Sequence, residues 1–222
     1  MRRLTIFFAA VVFLLTSTAM LSAQDKSKLL KDGKDSSGDG KVDTWNYVND
    51  KNVIELIEKD ENGDGQIDKW RFFTADGTPV KTEVDSDGDS DVDETTIYED
   101  GKKVRVEKDT NGDDKTDQWI HYDPATGKKT KAEFDKKGKG VNQTLFFNAG
   151  GERERMEYDS DGDGKVDQWY TYYPNGKKKE VGYDTTKPKN GTPNVWQTFK
   201  EDGAKDKVGY DTTGDGEPDT WR

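Results

Sequence analysis

Oxygen-bearing side chains recur along this chain at a spacing that suits a hard metal ion. Residues 60–68 and 159–167 carry Asp or Asn at positions 1, 3, 5 and 9, a glycine at position 6 and an apolar residue at position 8. Calcium takes several oxygen ligands, and the glycine permits the sharp turn that wraps a loop around an ion. The pattern therefore predicts calcium-binding loops.

The loop occurs eight times at a nearly constant interval, and each copy is named here by its first residue. Successive starts are 24 to 27 residues apart. The starts are Asp35, Asp60, Asp85, Asp109, Asp135, Asp159, Asp184 and Asp211. Such a period is typical of repeat proteins. It predicts a repeat domain over residues 35–222, preceded by a linker over residues 24–34.

Six of the eight loops keep most of their oxygen side chains and are predicted to hold about four to six calcium ions. The predicted ligands are Asp35, Ser37, Asp39 and Asp43; Asp60, Asn62, Asp64 and Asp68; Asp85, Asp87, Asp89 and Asp93; Asp109, Asn111, Asp113 and Asp117; Asp159, Asp161, Asp163 and Asp167; and Asp211, Asp215 and Asp219. Loop 135 has Lys137 and Lys139 in place of two ligands, and loop 184 is two residues longer. Neither is predicted to bind calcium tightly.

These loops resemble the calcium loops of the EF-hand, dockerin and thrombospondin type 3 families at positions 1, 3, 5, 6, 8 and 9. At position 12, where an EF-hand has a bidentate glutamate, loops 60 and 159 have Arg71 and Tyr170. The aspartate at position 9 is nearest to the thrombospondin type 3 pattern. The resemblance implies calcium binding without the EF-hand helix pair. The alternative is that the loops are acidic turns with no ion.

Each unit has the pattern of loop, strand, tight turn and strand. After loop 159, residues 168–173 are rich in aromatic residues and predict a strand, and residues 178–183 predict a second one beyond an Asn-Gly turn. We therefore predict an all-β fold, an elongated antiparallel meander of about eight hairpin units of 25 residues. The hairpins resemble MORN-type repeats in length. A small β-propeller with two units in each blade is the alternative.

All six tryptophans occupy one position of the repeat, two residues after the last residue of the loop. They are Trp45, Trp70, Trp119, Trp169, Trp196 and Trp221, with Thr95 and Leu145 at that position in the other two units. The periodicity favours a ladder of packed side chains, and the alternative is an aromatic strip that binds glycans. Pairs such as Lys81 and Glu83, two residues apart, predict a solvated face on the second strands.

The N-terminus has the pattern of a secretory signal. Arg2 and Arg3 precede an apolar run over residues 6–15 and a small-residue segment ending at Ala23. This predicts a signal peptide over residues 1–23 and a secreted, periplasmic or cell-surface location. The absence of cysteine excludes lipid anchoring at the signal, disulfides and thiolate metal sites. With His121 as the only histidine, zinc chemistry and Ser-His-Asp catalysis are not expected, and the chain is not predicted to be an enzyme.

Charge and composition limit the partners. Without Arg2 and Arg3 the chain has 33 basic and 46 acidic residues, so its net charge is 33 − 46 = −13. This argues against nucleic acid as a partner, and no membrane span is expected after signal cleavage. Hydrophobic residues make up only 29%, which predicts a thin core. The predicted function is an exported calcium-binding scaffold that contacts an extracellular protein or glycan. The alternative is a calcium-stabilised carbohydrate-binding module that uses the Trp side chains.

Overall fold

A computed structural model describes Lys26 and residues 29–222, in which sixteen strands form one antiparallel sheet. The strands are β1 Leu30–Lys34, β2 Thr44–Val48, β3 Ile54–Lys59, β4 Lys69–Phe73, β5 Pro79–Val84, β6 Glu94–Glu99, β7 Lys102–Lys108, β8 Gln118–Tyr122, β9 Lys129–Phe134, β10 Gln143–Phe147, β11 Arg153–Tyr158, β12 Gln168–Tyr172, β13 Lys178–Tyr183, β14 Val195–Phe199, β15 Lys205–Tyr210 and β16 Thr220–Trp221. The predicted signal peptide lies outside the described residues. Within residues 26 and 29–222, no helix has the length and apolar content needed to cross a membrane.

The order of strands in the sheet is their order in the chain, so each strand pairs with the one before and the one after it. Acidic loops and tight turns alternate as connections. Because the strands are antiparallel, all acidic loops lie at one side of the sheet and all tight turns at the other. The predicted meander is confirmed. The propeller alternative is wrong, because the strands form one continuous sheet and are not divided into blades.

The predicted linker contains a strand. Residues 30–34 form β1, in which Gly33 lies opposite Trp45 of β2. The sheet therefore begins before the predicted repeat boundary at Asp35. The strand was missed because it has a single apolar residue, Leu30, and its backbone pairing with β2 is a property of the sheet that no local pattern carries.

Residues directly opposite each other in the sheet share a face. On one face, called here the Trp face, Trp70 lies between Glu58 and Glu83, and Trp196 lies between Gly182 and Gly209. Each tryptophan therefore has Glu or Gly, and not another tryptophan, opposite it on the adjacent strands. The ladder is an alternation of side chains and not a direct stack of rings.

The repeat position assigned to Leu145 is wrong. Thr144 lies opposite Glu133 and Glu157 on the Trp face, whereas Leu145 lies opposite Ala132 and Met156 on the other face. The cause is loop 135, which reaches its last position at Asn142 and is one residue shorter than the nine-residue loops. A change of one residue moves every following side chain to the opposite face of a strand.

The core is thin, as the composition predicts. On the face opposite the Trp face, Val106, Ile120 and Ala132 form a buried cluster against which Phe134, Leu145 and other partly buried side chains pack. In the described part of the chain, all strands belong to this sheet, so its faces are covered only by their own side chains.

The predicted charged pairs form on the Trp face. Lys81 and Glu83 are 2.7 Å apart, and Lys131 and Glu133 are 2.9 Å apart. The corresponding pairs Arg105–Glu107 and Arg155–Glu157 also form. These side chains keep part of their surface in solvent, so each pair contributes at most about 1 kcal/mol. They contribute charge to a face that is otherwise rich in aromatic rings.

Position 6 of the loops requires a left-handed backbone. Ser90 has φ of 80° there, and Gly65 has φ of 94°. A Cβ in this region costs about 1–2 kcal/mol, offset in part by the lower chain entropy of the unfolded residue.

We expect Ser90→Gly to raise the free energy of unfolding by about 0.5–1 kcal/mol, measured by denaturant unfolding in chelator. The reverse change, Gly65→Ala, serves as the control and is expected to lower it by a similar amount. Equal signs for the two variants would contradict the explanation.

Candidate metal sites in the acidic loops

The first aspartate of each intact loop organises the turn through backbone hydrogen bonds. In loop 60, the N–H groups of Gly63 and Gly65 donate to the two oxygens of Asp60 at 2.6 and 2.9 Å. Gly162 and Gly164 do the same for Asp159 at 2.6 and 2.8 Å. The positive φ of these glycines turns the N–H groups inward. Each carboxylate oxygen retains a second lone pair that can face a cation.

These donors favour the ionised form of Asp35 and of Asp159. The N–H groups of Gly40 and Gly38 lower the pKa of Asp35 below its usual value. Burial acts in the opposite direction on Asp159, but the N–H groups of Gly162 and Gly164 outweigh it and the pKa is lowered. The loops therefore present negative charge at neutral pH, which is the state that a metal ion requires.

The last aspartate closes the loop. The N–H of Glu61 donates to Asp68 at 2.6 Å, and the N–H of Ser86 donates to Asp93 at 2.6 Å. Asp68 and Asp167 are buried, with 7% and 1% of their surface exposed. In loops 60 and 159, the backbone thus holds the carboxylates of positions 1 and 9 in place without an ion.

Adjacent loops are joined to one another. The N–H of Asp60 donates to the carbonyl of Asp43 at 2.9 Å, and the N–H of Asp85 donates to the carbonyl of Asp68 at 2.9 Å. The same bond joins each further pair of neighbouring loops up to Asp211 and Asn194. The first residue of one loop is thereby fixed to the last residue of the previous one, so an ion in one loop would also hold its neighbour.

Two loops bring three carboxylates together. Oxygens of Asp85, Asp87 and Asp93 lie within 4.8 Å of one another, and so do oxygens of the corresponding residues of loop 159. That second group is Asp159, Asp161 and Asp167. Both groups combine positions 1, 3 and 9. These loops have aspartate at position 3, whereas loops 35, 60, 109 and 211 have a neutral side chain there.

The fifth position lies outside both groups. Asp89 accepts the N–H of Asp91 at 2.9 Å, and Asp163 accepts the N–H of Lys165 at 2.8 Å. Each side chain thus closes a local turn two residues long. Of the four predicted ligands in loops 85 and 159, the structure brings together three.

Loop 60 matches the sequence pattern as well as loop 159 does but is arranged differently. The side-chain amide nitrogen of Asn62 lies 3.1 Å from Asp68 and 3.3 Å from Asp64 and donates to both. Its oxygen accepts the N–H of Asp64 at 2.8 Å. The amide N–H groups thus stabilise the charges of Asp64 and Asp68 in place of a cation, and the amide oxygen is hydrogen-bonded to the loop backbone.

Repulsion within loop 85 is visible in the acidity of Asp87. The N–H of Asp89 lowers the pKa of Asp87, but burial and the charges of Asp89, Asp93 and Asp85 outweigh it and raise the pKa above its usual value. The ionised group therefore destabilises the folded loop when no cation is bound.

A third acidic group was not predicted from the sequence. Asp89 and Asp91 of loop 85 converge with Asp114 of loop 109, and oxygens of all three lie within 4.8 Å of one another. The charge of Asp91 is the largest contribution that raises the pKa of Asp114. In the sequence, this group is marked only by an acid at position 7 of loop 85 and another at position 6 of loop 109. Their contact arises because the two loops lie side by side.

The two degenerate loops direct lysines toward loop 159. The ammonium of Lys137 in loop 135 donates to the carbonyl of Ser160 at 2.5 Å. The ammonium of Lys189 in loop 184 donates to Asp167 at 3.0 Å, and this contact raises the pKa of Lys189. Loop 159 is therefore flanked by positive charge on both sides.

No family model matches this chain, and no curated protein matches it. A crystal structure of TarM is similar at 16% identity over 48% of this chain and 19% of that chain, with a TM-score of 0.35. A mutant of S. aureus TarM in complex with Fondaparinux, alpha-GlcNAc-glycerol and UDP is similar at 10% identity over 68% of this chain and 21% of that chain, with a TM-score of 0.21. The structure of TcdB2-TccC3-Cdc42 is similar at 17% identity over 82% of this chain and 12% of that chain, with a TM-score of 0.20. The chain thus spans only a small part of each of these proteins, and TM-scores this low support no functional inference.

Proposed function

We propose that this protein is an exported calcium-binding repeat protein, in which calcium ions hold the acidic loops along one side of an extended β-sheet. The observation that carries the proposal is the convergence of carboxylates from positions 1, 3 and 9 in loops 85 and 159. The sheet would then serve as a scaffold for surface or adhesive contacts with an extracellular protein or a glycan.

The chemistry of the donors supports calcium. Every side-chain donor in these groups is a carboxylate oxygen, and hard cations prefer such oxygens to nitrogen or sulfur. Three carboxylates held within 4.8 Å of one another repel, and the raised pKa of Asp87 is a sign of that repulsion. A divalent ion would relieve it, with carbonyl oxygens and water completing its coordination.

A structural role suits these loops better than a signalling role. Each loop connects two paired strands, and neighbouring loops share a backbone hydrogen bond. A sensor needs an element with two packed arrangements, such as the EF-hand helix pair, whereas the described loops are fixed at both ends. Affinities of about 10⁻⁴–10⁻³ M, typical of extracellular calcium modules, would keep such sites filled outside the cell.

Carbohydrate binding is a second candidate, because the tryptophans lie in one row on one face. Four of them are half-buried, whereas Trp196 has 7% of its surface exposed and Trp221 has 43%. A glycan array probed in calcium distinguishes the candidates. Binding that is lost on replacing Trp70 would favour the carbohydrate-binding module, and an array without bound glycans would favour the scaffold.

Calorimetric titration with calcium tests the proposal on the chain without residues 1–23. We expect Asp87→Asn to bind one ion fewer than the unsubstituted chain, because it removes the third carboxylate of loop 85. In chelator, the same variant is expected to melt at a higher temperature. A raised folded-state pKa means that ionised Asp87 destabilises the fold above that pKa, and the neutral amide removes this effect at neutral pH.

The control for the titration is Lys139→Ala in degenerate loop 135, which is expected to leave the number of bound ions unchanged. Absence of calcium binding by the unsubstituted chain would refute the proposed function. An equal number of ions in both variants would refute the assignment of loop 85.

A further inference from the structure

Lys189 makes an ion pair with a carboxylate of the neighbouring loop. Its Nζ lies 3.0 Å from Oδ2 of Asp167, whose side chain has 0% of its surface exposed, compared with 25% for the lysine side chain. A buried carboxylate without a compensating charge is strongly unfavourable. Lys189 supplies that charge from outside loop 159.

Lys189 contacts an oxygen of Asp167 that has a second donor. Oδ2 of Asp167 also accepts the hydroxyl of Ser160 at 2.7 Å, and Oδ1 accepts the N–H of Ser160 at 3.3 Å. A carboxylate oxygen has two lone-pair directions. Both directions of Oδ2 are therefore occupied, and a metal ion can bind there only if a donor leaves.

Loop 85 has no equivalent cation. Its Asp93 accepts the N–H and the hydroxyl of Ser86, each at 2.6 Å. Among the ion pairs of the described residues, none includes Asp85, Asp87 or Asp93. The group in loop 159 therefore has a cation bound to one of its carboxylates, whereas the group in loop 85 has none.

The backbone of loop 184 holds Lys189 in position. The carbonyl of Lys189 accepts the ammonium of Lys165 at 3.0 Å, and the N–H of the next residue, Asn190, donates to Asp184 at 2.7 Å. Asp184 is itself buried, with 1% of its surface exposed. Both contacts hold the peptide group that follows Lys189, and one of them comes from loop 159 itself.

We propose that Lys189 is a tethered cation that competes with calcium for loop 159, so that this loop binds calcium more weakly than loop 85 although it matches the sequence pattern better. The inference rests on the proposed calcium-binding function. Without calcium, the ammonium compensates the charge of Asp167. A calcium ion at Oδ2 displaces the ammonium, which has a long flexible side chain and moves into solvent, whereas an ion at Oδ1 is repelled by the ammonium beside it.

Thermal melts in chelator test the first half of the inference without any bound calcium. Lys189→Met leaves Asp167 buried without its partner, and we expect its melting temperature to fall by several degrees. Lys187→Met is the matched control, because Lys187 is exposed and lies two residues away in the same loop. An unchanged melting temperature for Lys189→Met, or an equal fall for both variants, would overturn the inference.

Calorimetric calcium titration tests the second half. We expect Lys189→Met to raise the affinity of one site by about tenfold, equivalent to about 1.4 kcal/mol. This gain is expected to disappear in the double variant that also carries Asp161→Ala, which places the affected site in loop 159. Unchanged affinity in Lys189→Met would overturn the competition.

The two readouts separate this inference from the proposed function. If neither the unsubstituted chain nor any variant binds calcium, the proposed function and the competition both fail. This holds even if Lys189→Met lowers the melting temperature in chelator. If the unsubstituted chain binds calcium but Lys189→Met neither melts lower in chelator nor binds more tightly, only the inference about Lys189 fails.

Discussion

Calcium is expected to raise the melting temperature of the chain without residues 1–23 by about 10–20 °C. An ion that binds only the folded state stabilises it by about 2.7 kcal/mol at a hundredfold excess over its dissociation constant. Filling loops 85 and 159, at a calcium concentration a hundredfold above the weaker dissociation constant, would thus contribute at least about 5 kcal/mol, and each kcal/mol corresponds to about 2–4 °C for a chain of this size. Circular dichroism melts in calcium and in chelator measure the difference.

The control is a variant with Asp87→Asn and Asp161→Asn, which removes position 3 from both three-carboxylate groups. We expect its melting temperature to change much less between calcium and chelator. An equal melting temperature of the unsubstituted chain in calcium and in chelator would contradict the expectation that calcium stabilises the folded loops.

Leu56→Ala is expected to lower the free energy of unfolding by about 3 kcal/mol, or the melting temperature by about 6–12 °C. Leu56 is 1% exposed and lies opposite Tyr47 and Phe72 on the Trp face. In a sheet whose described residues form one layer, few side chains can move to fill the cavity. Denaturant unfolding in chelator measures the change.

Leu30→Ala is the matched control, because Leu30 is the same residue type in a strand but is 71% exposed. We expect a change within about 0.5 kcal/mol for it. Similar losses for the two variants would mean that burial on the Trp face does not stabilise the sheet.

The local pattern determined much of the fold. Strand β13 has the predicted bounds, Lys178–Tyr183, and β12 ends at Tyr172, one residue before the predicted end. The meander followed from short turns between consecutive strands, since such turns permit only antiparallel neighbours. These features depend on a residue and its neighbours in the chain, which is why the sequence alone could predict them.

Two features of the sheet were predicted less well: its first strand, β1, and the register of β10 after the shorter loop 135. Strand β1 has almost no apolar pattern, and the shorter loop 135 placed Thr144 where Leu145 was expected. In both cases the outcome is fixed by pairing with the adjacent strand. Backbone hydrogen bonds between strands form without regard to side-chain type, whereas a prediction from strand propensity uses side-chain type alone.

The spacing of oxygen side chains determined which residues could bind an ion, because ligand type and loop length are properties of the sequence. Only the tertiary structure decided which of them converge. It grouped positions 1, 3 and 9, left position 5 in a local turn, joined Asp114 to the preceding loop and placed Lys189 against Asp167. These contacts join residues of different loops or depend on where backbone N–H groups point. Such distances are set by strand register across the sheet, and the one-dimensional spacing of residues does not contain them.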